Sequence, residues 1–126
     1  MAPQLTHQMG ETMFVAVYRW HVKPGREAEF RAAWIAVTHA TYGKYGSLGS
    51  RLHRNEDGSW VAYAQWPSRA AWERAWKDGV PADPVATATM RDCVEADSVD
   101  EQFKPTLALD VYDDLLRAVP DRPETP

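Results

Sequence analysis

The chain has 126 residues, of which 44% are hydrophobic and 11% aromatic. This size and composition are typical of one globular domain and exclude a disordered chain. The formal net charge is −4, but residues 1–91 carry eleven basic and eight acidic side chains, whereas residues 92–126 carry three and ten. The acidic second part and the lack of a Lys/Arg cluster elsewhere argue against nucleic acid and anionic membranes as partners.

The single cysteine, Cys93, excludes an internal disulfide and an all-cysteine metal site within the chain. We expect it to be a packed core thiol. Residues 1–12 and 120–126 lack an apolar pattern, so we expect flexible ends around one domain over residues 13–119. No basic segment precedes a long apolar stretch, and no run has membrane length, which predicts a cytoplasmic protein.

Residues Met13 to Val22 predict the first strand, because apolar side chains recur at every second position. One face of this strand carries Phe14, Ala16, Tyr18, Trp20 and Val22. A helix is predicted to follow Gly25 and to end near Thr41, with Gly43 and Gly46 as its breakers. The buried stripe of that helix contains Phe30, Ala33, Trp34 and Val37.

Residues Leu48 to Arg54 predict the second strand, and Asn55-Glu56-Asp57-Gly58 predicts a turn into the third. The third strand and the next helix form the stretch Ser59–Trp76, which holds four of the six tryptophans. One face of the strand carries Trp60, Ala62, Ala64 and Trp66. Pro67 ends the strand, and Ser68 is the predicted N-cap of the helix.

Two further elements are predicted in the last third of the chain. Val85 to Ala96 favours a helix, after a stretch that Pro81 and Pro84 keep irregular. Thr106 to Tyr112 alternates and predicts the fourth strand. The order is therefore β-α-β-β-α-β with an extra helical segment before the last strand, which is the ferredoxin-like arrangement of the α+β class.

In this arrangement the helices cover one face of the sheet, and the other face is also apolar. Val15, Val17, Val61 and Tyr63 lie on that second face. An apolar patch of this kind marks an interface. We therefore expect a homodimer in which two sheets close face to face, and a solvated sheet face is the alternative.

Several stretches resemble the antibiotic biosynthesis monooxygenase domain family. They are the first strand running into Val22-Lys23-Pro24-Gly25, the helix with Phe30 and Trp34, the entry Gly46-Ser47-Leu48-Gly49-Ser50, and Trp66-Pro67-Ser68 followed by Trp72. The resemblance covers residues 13–79 and, more loosely, the fourth strand. It implies a dimeric α+β barrel with a pocket between the sheet and the helices of each subunit.

The resemblance also implies an activity. Better-known members of the family oxidise anthrone-type polyketides to quinones with O₂, without metal or flavin, and another branch degrades haem. In both branches the tryptophan that ends the third strand lines the pocket, and Trp66 matches it. Tyr18 stands at the position where the haem branch has an asparagine that faces the pocket. The expected function is a cofactor-independent monooxygenase acting on an aromatic or polyketide-like molecule.

Three features depart from the family pattern. The haem branch needs a histidine on the helix after the third strand, and residues 69–78 contain none, which argues against haem degradation. The anthrone oxygenases carry an asparagine where this chain has Ala62 and a tyrosine where it has Trp72. Of the pocket residues compared with the anthrone oxygenases, only Trp66 is the same in this chain. A binding module without turnover, or a purely structural dimer, therefore stays open as the alternative.

The candidate site is centred on Trp66. We expect Trp66 and Tyr18 to be the catalytic residues, with Tyr18 donating a hydrogen bond to a phenolic oxygen. The expected contacts to a small aromatic substrate come from Trp20, Phe30, Trp34, Ala62, Ala64 and Trp72. The alternative is an ordinary core that Trp66 closes above Ala62.

Histidines are the candidate bases, since an unperturbed imidazole titrates near neutrality. His7 lies in the lead-in and His39 lies late on the first helix. His21 and His53 face the predicted dimer interface. None has a second histidine or a carboxylate at metal-ligand spacing, so we expect neither a metal nor another cofactor.

Overall fold

The structure, a computed structural model, describes residues 13–77 and 80–109. Its strands are β1 (Phe14–Trp20), β2 (Gly49–Arg54), β3 (Trp60–Trp66) and β4 (Thr106–Leu109). They form one antiparallel sheet in the order β2-β3-β1-β4. The helices are α1 (Glu27–Tyr45), α2 (Arg69–Lys77), α3 (Pro84–Cys93) and α4 (Val99–Gln102), with a 3-10 turn at Ala96–Ser98. The predicted ferredoxin-like order with an extra helical segment is confirmed.

The two faces of the sheet separate as the alternating pattern predicts. The helix-covered face buries Phe14, Ala16, Trp20, Trp60, Ala62 and Trp66. On the other face Val15, Val17 and Val61 are half-buried, and Tyr63 is exposed. The described helices therefore cover one face only, and the apolar residues of the second face have no layer above them within the described residues.

Helix α1 is longer than the sequence predicts. It continues through Gly43 to Tyr45, and Gly46 ends it in the left-handed conformation with a φ of 77°. The predicted end near Thr41 is wrong, because a single glycine costs a helix only about 1 kcal/mol. The additional turn packs onto the sheet through Tyr45.

The start of α3 and the end of β1 also differ from the prediction. Pro84 does not keep the chain irregular but is the first residue of the helix, where its missing N–H has no intrahelical partner to lose. The side chain of Asp83 caps this helix by accepting a hydrogen bond from the Ala86 N–H at 3.0 Å. Strand β1 ends at Trp20, and Val22 forms only an isolated bridge with Val94.

Some predictions lie outside the described residues. They concern the flexible ends, 1–12 and 120–126, and the continuation of the fourth strand over 110–112. Among the helices that the structure describes, none is long and apolar enough to cross a membrane.

Buried side chains between the sheet and the helices form two clusters. The first joins β1 and β3 to α1 and α3, and it contains Trp20, Phe30, Trp60, Met90 and Cys93. The second joins the opposite ends of these strands to α2, and it contains Phe14, Trp66, Ala71 and Ala75. Cys93 is a free, fully buried thiol, as predicted.

Candidate functional site

A cavity of about 150 Å³ lies between the two core clusters. Its floor is the helix-covered face of β1 and β3, and it comprises Tyr18, Trp20, Ala62, Ala64 and Trp66. At the ends of the β1–β3 ladder bulky residues face each other, in the pairs Trp20–Trp60 and Phe14–Trp66. In the middle Tyr18 faces Ala62 and Ala16 faces Ala64. These alanines leave part of the sheet uncovered, and the cavity occupies that space.

Helix α1 forms one wall of the cavity. Its lining side chains are three or four positions apart, on one side of the helix: Trp34, Val37, Thr38, Thr41 and Tyr45. The Tyr45 hydroxyl donates a hydrogen bond to the backbone carbonyl of Val80 at 2.7 Å. This bond joins the end of α1 to the segment before α3 and closes that side of the cavity.

The remaining walls come from the other helices and their flanking segments. They are formed by Ala75, Trp76, Val80, Pro81, Thr87, Met90 and Phe103, among others. Trp76 is 54% exposed although it lines the cavity, so its ring lies at the mouth. The cavity therefore has an aromatic edge where it meets solvent.

Six of the eight predicted site residues line this cavity: Tyr18, Trp20, Trp34, Ala62, Ala64 and Trp66. Phe30 and Trp72 are not among its described lining residues. Phe30, on α1, is fully buried in the first core cluster, where its ring lies 5.2 Å from that of Trp20 and 5.8 Å from that of Trp60, centroid to centroid. Trp72 packs against Phe14 and Trp76.

Tyr18 is the polar group of the floor. Its ring is stacked on that of Trp20, with the centroids 5.5 Å apart and the planes at 4°. Burial raises the pKa of Tyr18 to about 12, and the Trp72 indole N–H beside the phenolic oxygen counteracts part of the increase. That N–H nevertheless does not reach hydrogen-bond geometry, and it has no other partner among the described residues. Tyr18 is therefore a neutral hydrogen-bond donor at physiological pH.

The described lining contains no histidine, carboxylate, lysine, arginine or cysteine. The other polar groups of the lining residues are the hydroxyls of serine and threonine, the Tyr45 phenol and the indole N–H groups of the tryptophans. The indole N–H of Trp20 is buried and has no hydrogen-bond partner among the described residues. Three of the hydroxyls are already engaged as donors. Thr41 donates to the Val37 carbonyl at 2.7 Å and Ser50 to the Tyr63 carbonyl at 2.8 Å, and Tyr45 donates to the Val80 carbonyl as described above. The described walls therefore offer neutral donors and aromatic surface, without a charged group.

The candidate bases lie elsewhere. His21, His39 and His53 are all exposed, and none lines the cavity. His53 is next to Tyr63 on the open sheet face, with the ring centroids 6.2 Å apart. His7 lies outside the described residues.

Sequence reasoning missed several lining residues. Thr38, Thr41 and Tyr45 follow Trp34 at helical spacing, so the pattern of α1 contains them once the helix is known to pass Gly43. Thr87 and Phe103 reach the cavity only because the extra helical segment packs against α1 and β1. No local sequence signal marks those two residues.

The fold and the cavity define a class of protein, namely a ferredoxin-like α+β domain with an aromatic-walled pocket on the helical side of the sheet. The antibiotic biosynthesis monooxygenase family matches residues 13–79, which is more than half of the chain. The chain belongs to this family. No curated protein sequence matches it.

Solved structures share this fold. SnoaB, a cofactor-independent oxygenase from Streptomyces nogalater, is 20% identical with a TM-score of 0.59, over 83% of this chain and 97% of SnoaB. Rv0793 from Mycobacterium tuberculosis is 17% identical with a TM-score of 0.56, over 82% and 98% of the two chains. A conserved protein from Methanosarcina mazei Go1 is 10% identical with a TM-score of 0.58, over 82% and 95%. At these identities the likeness shows the fold alone.

Proposed function

We propose that the protein is a cofactor-independent monooxygenase that acts on a flat aromatic or polyketide-like molecule. The observation that carries the proposal is the cavity, which combines the rings of Trp20, Trp34 and Trp66 with the neutral donor Tyr18. Membership in the antibiotic biosynthesis monooxygenase family supports oxygen chemistry. SnoaB, which shares the fold, is a cofactor-independent oxygenase.

The proposed reaction converts a ring CH₂ group of an anthrone-like substrate into C=O. Loss of one C–H proton gives a carbanion that is delocalised onto the substrate oxygen, and this anion reacts with O₂. One oxygen atom enters the new carbonyl group, and the other leaves as water with the two methylene hydrogens. The protein has to exclude water and stabilise the charged substrate oxygen.

The floor of the cavity suits these tasks. Trp20 and Trp66 hold the flat ring, and Ala64 leaves room for it. Tyr18 donates a hydrogen bond to the substrate oxygen, because its raised pKa keeps the proton on the phenol. Since no ionisable group other than tyrosine lies in the described lining, the substrate supplies its own acidity and releases the proton to solvent at the mouth, beside Trp76.

Aerobic incubation of the metal-stripped protein with 1,8-dihydroxyanthrone tests this proposal. We expect the quinone to form faster than in buffer, with one O₂ consumed per quinone, and Trp66→Phe to lower the enzymatic rate roughly tenfold by removing about 1.4 kcal/mol of transition-state stabilisation. Trp60→Phe is the matched control, because Trp60 is buried but is not a described lining residue. Wild-type protein that gives only the buffer rate, unchanged by Trp66→Phe, would refute the proposal for this substrate class.

A second candidate function is small-molecule binding without turnover. The lack of an imidazole or carboxylate in the described lining favours it, because a general base is the usual means of removing a substrate proton. Saturable binding of anthraquinone that Trp66→Ala weakens, together with O₂ uptake at the buffer rate, would support this candidate over the monooxygenase.

We also propose a homodimer that closes through the open sheet face. Val15, Val17 and Val61 form an apolar surface there, with Tyr63 beside Val17 across the β1–β3 ladder. Light scattering at micromolar concentration should give twice the chain mass of 14.2 kDa, and Val17→Glu should lower it to the monomer value. A wild-type mass of 14.2 kDa would contradict the dimer.

A further inference from the structure

We propose that Phe103 is a specificity-determining residue of the cavity. Its ring closes the cavity at the Trp20 end and so restricts the buried part of a ligand to one aromatic ring. Gln102 is the positioning residue that holds Phe103 there. The inference rests on the proposed function, because it concerns the ligand of the same cavity.

One wall of the cavity lies outside the part of the chain that the family matches. The match ends at residue 79, and the floor and the α1 wall lie within it. Residues 80–103 supply a further wall, formed by Val80, Pro81, Ala82, Thr87, Met90 and Phe103. Ligand preference depends on the shape of the pocket and not on the fold. This wall is therefore where the chain differs from the family pattern in the ligand that it accepts.

Phe103 is the aromatic residue of this wall. Its ring lies against that of Trp20, with the centroids 5.9 Å apart and the planes at 55°. On α3, the guanidinium carbon of Arg91 lies 5.2 Å from the centroid of the Phe103 ring, and Arg91 also pairs with Asp100. The half-buried side chain of Phe103 packs against the first core cluster. The ring is therefore held between Trp20 and α3, at the Trp20 end of the cavity.

The residue before Phe103 is fixed by buried hydrogen bonds. Gln102 is only 6% exposed. Its side-chain oxygen accepts the backbone N–H of His21 at 2.7 Å, and its amide group donates to the Glu95 carbonyl at 3.0 Å and to the Ser98 hydroxyl at 3.3 Å. Breaking these bonds would leave buried polar groups unpaired, which is costly. Phe103 is therefore a fixed wall and not a side chain that moves aside for a larger ligand.

The closed end limits the ligand by size. The cavity volume of about 150 Å³ is similar to that of an engineered cavity that binds benzene. The described lining carries no charged side chain, and burying an unpaired charge is costly. The ligand is therefore an uncharged aromatic compound with one buried ring, and any further rings extend past Trp76 at the mouth.

Ethylbenzene and 2-ethylnaphthalene are matched probes, because they carry the same alkyl group and differ by one fused ring. We expect the ratio of the ethylbenzene affinity to the 2-ethylnaphthalene affinity, measured by calorimetry, to fall about tenfold in Phe103→Ala, which opens the Trp20 end. Phe103→Leu shortens the wall by less and should lower the ratio about threefold. Val99→Ala is the control, because Val99 packs against the first core cluster but is not a described lining residue. It should leave the ratio unchanged.

Gln102→Met tests the positioning role, because methionine has a similar length and cannot form the three hydrogen bonds of the amide. This variant removes no described lining residue, yet it should lower the affinity ratio about threefold, since the Phe103 ring is no longer held in place. A variant that is less stable in urea but keeps the wild-type ratio would overturn the positioning role of Gln102.

The same ratio in the wild type, Phe103→Ala and Phe103→Leu would overturn the role of Phe103. Failure of the wild-type protein to bind ethylbenzene would also overturn it. Both results leave the proposed function to the quinone assay, which uses neither probe, so the two proposals fail separately.

Discussion

The two ends of the space between sheet and helices differ in how they are filled. Below α3 and the first half of α1, Trp20, Phe30 and Trp60 pack edge to face, and Phe30 and Cys93 have no exposed surface. Below the second half of α1 and α2, Ala62 and Ala64 leave a cavity in front of Trp66. Both ends use the same strands, the same helix and many aromatic residues.

Residue size along one strand face therefore determines whether the layer between sheet and helices becomes core or pocket. Aromatic pairs at both ends of the β1–β3 ladder hold the helices away from the sheet, and alanines between them do not fill the gap. Close packing is the default in protein interiors, so a gap of this size at an aromatic surface supports the proposal of a binding site.

Truncation should cost far more stability at the packed end than at the cavity. We expect Phe30→Ala to lower the free energy of unfolding by about 3–5 kcal/mol, because the void it leaves is enclosed on all sides. Val37→Ala, on the same helix but in the cavity wall, should cost about 1 kcal/mol, since its side chain already borders open space. Urea titration measures both values, and equal costs per atom removed would contradict the contrast.

The burial of Tyr18 should make the free energy of unfolding decrease at high pH. Its pKa is about 12 in the folded protein, whereas the ordinary value for tyrosine is 10.0. Between these pH values the folded state therefore keeps a proton that the unfolded state loses. This contribution is fully present below pH 10 and is lost as the pH rises to 12, which removes up to about 2–3 kcal/mol. The free energy of unfolding, measured by urea titrations from pH 9 to 12, should therefore fall more steeply for the wild type than for Tyr18→Phe.

Tyr42, on α1, provides the control for this titration, because it is 61% exposed. Tyr42→Phe should leave the wild-type pH dependence unchanged. Parallel pH curves for the wild type and Tyr18→Phe would show that Tyr18 is not buried as described.

Filling the cavity should affect binding more than stability. We expect Ala64→Leu to change the free energy of unfolding by less than about 1.5 kcal/mol, because the added carbon atoms enter open space. The same substitution should weaken ethylbenzene binding at least about tenfold, or 1.4 kcal/mol. Ala32→Leu, on the exposed side of α1, is the matched control and should do neither.

The sequence predicts the floor of the site better than its walls. Alternation alone assigns Tyr18, Ala62, Ala64 and Trp66 to one face, because successive strand residues point to opposite sides of a sheet. The N-cap at Ser68 was also predictable, and its hydroxyl accepts the Ala71 N–H at 3.1 Å. These features depend on neighbouring residues only.

The walls depend on packing between distant segments. Gly43 suggests an early end of α1, and that wrong boundary hides Tyr45, whose hydroxyl binds the carbonyl of Val80. Trp72 shares a helix face with cavity residues, yet it packs against the rings of Phe14 and Trp76 and is not a described lining residue. Its position outside the described lining follows from the tertiary structure and not from spacing.

O₂ uptake with 1,8-dihydroxyanthrone by the Ala64→Leu variant tests whether the proposed O₂ chemistry occurs in this cavity. The wild type and the Ala32→Leu control should consume one O₂ per quinone at the same rate above buffer. The Ala64→Leu variant, although folded, should show only the buffer rate. A wild-type rate in the Ala64→Leu variant would refute the proposed site, because the reaction would then not need the space in front of Trp66.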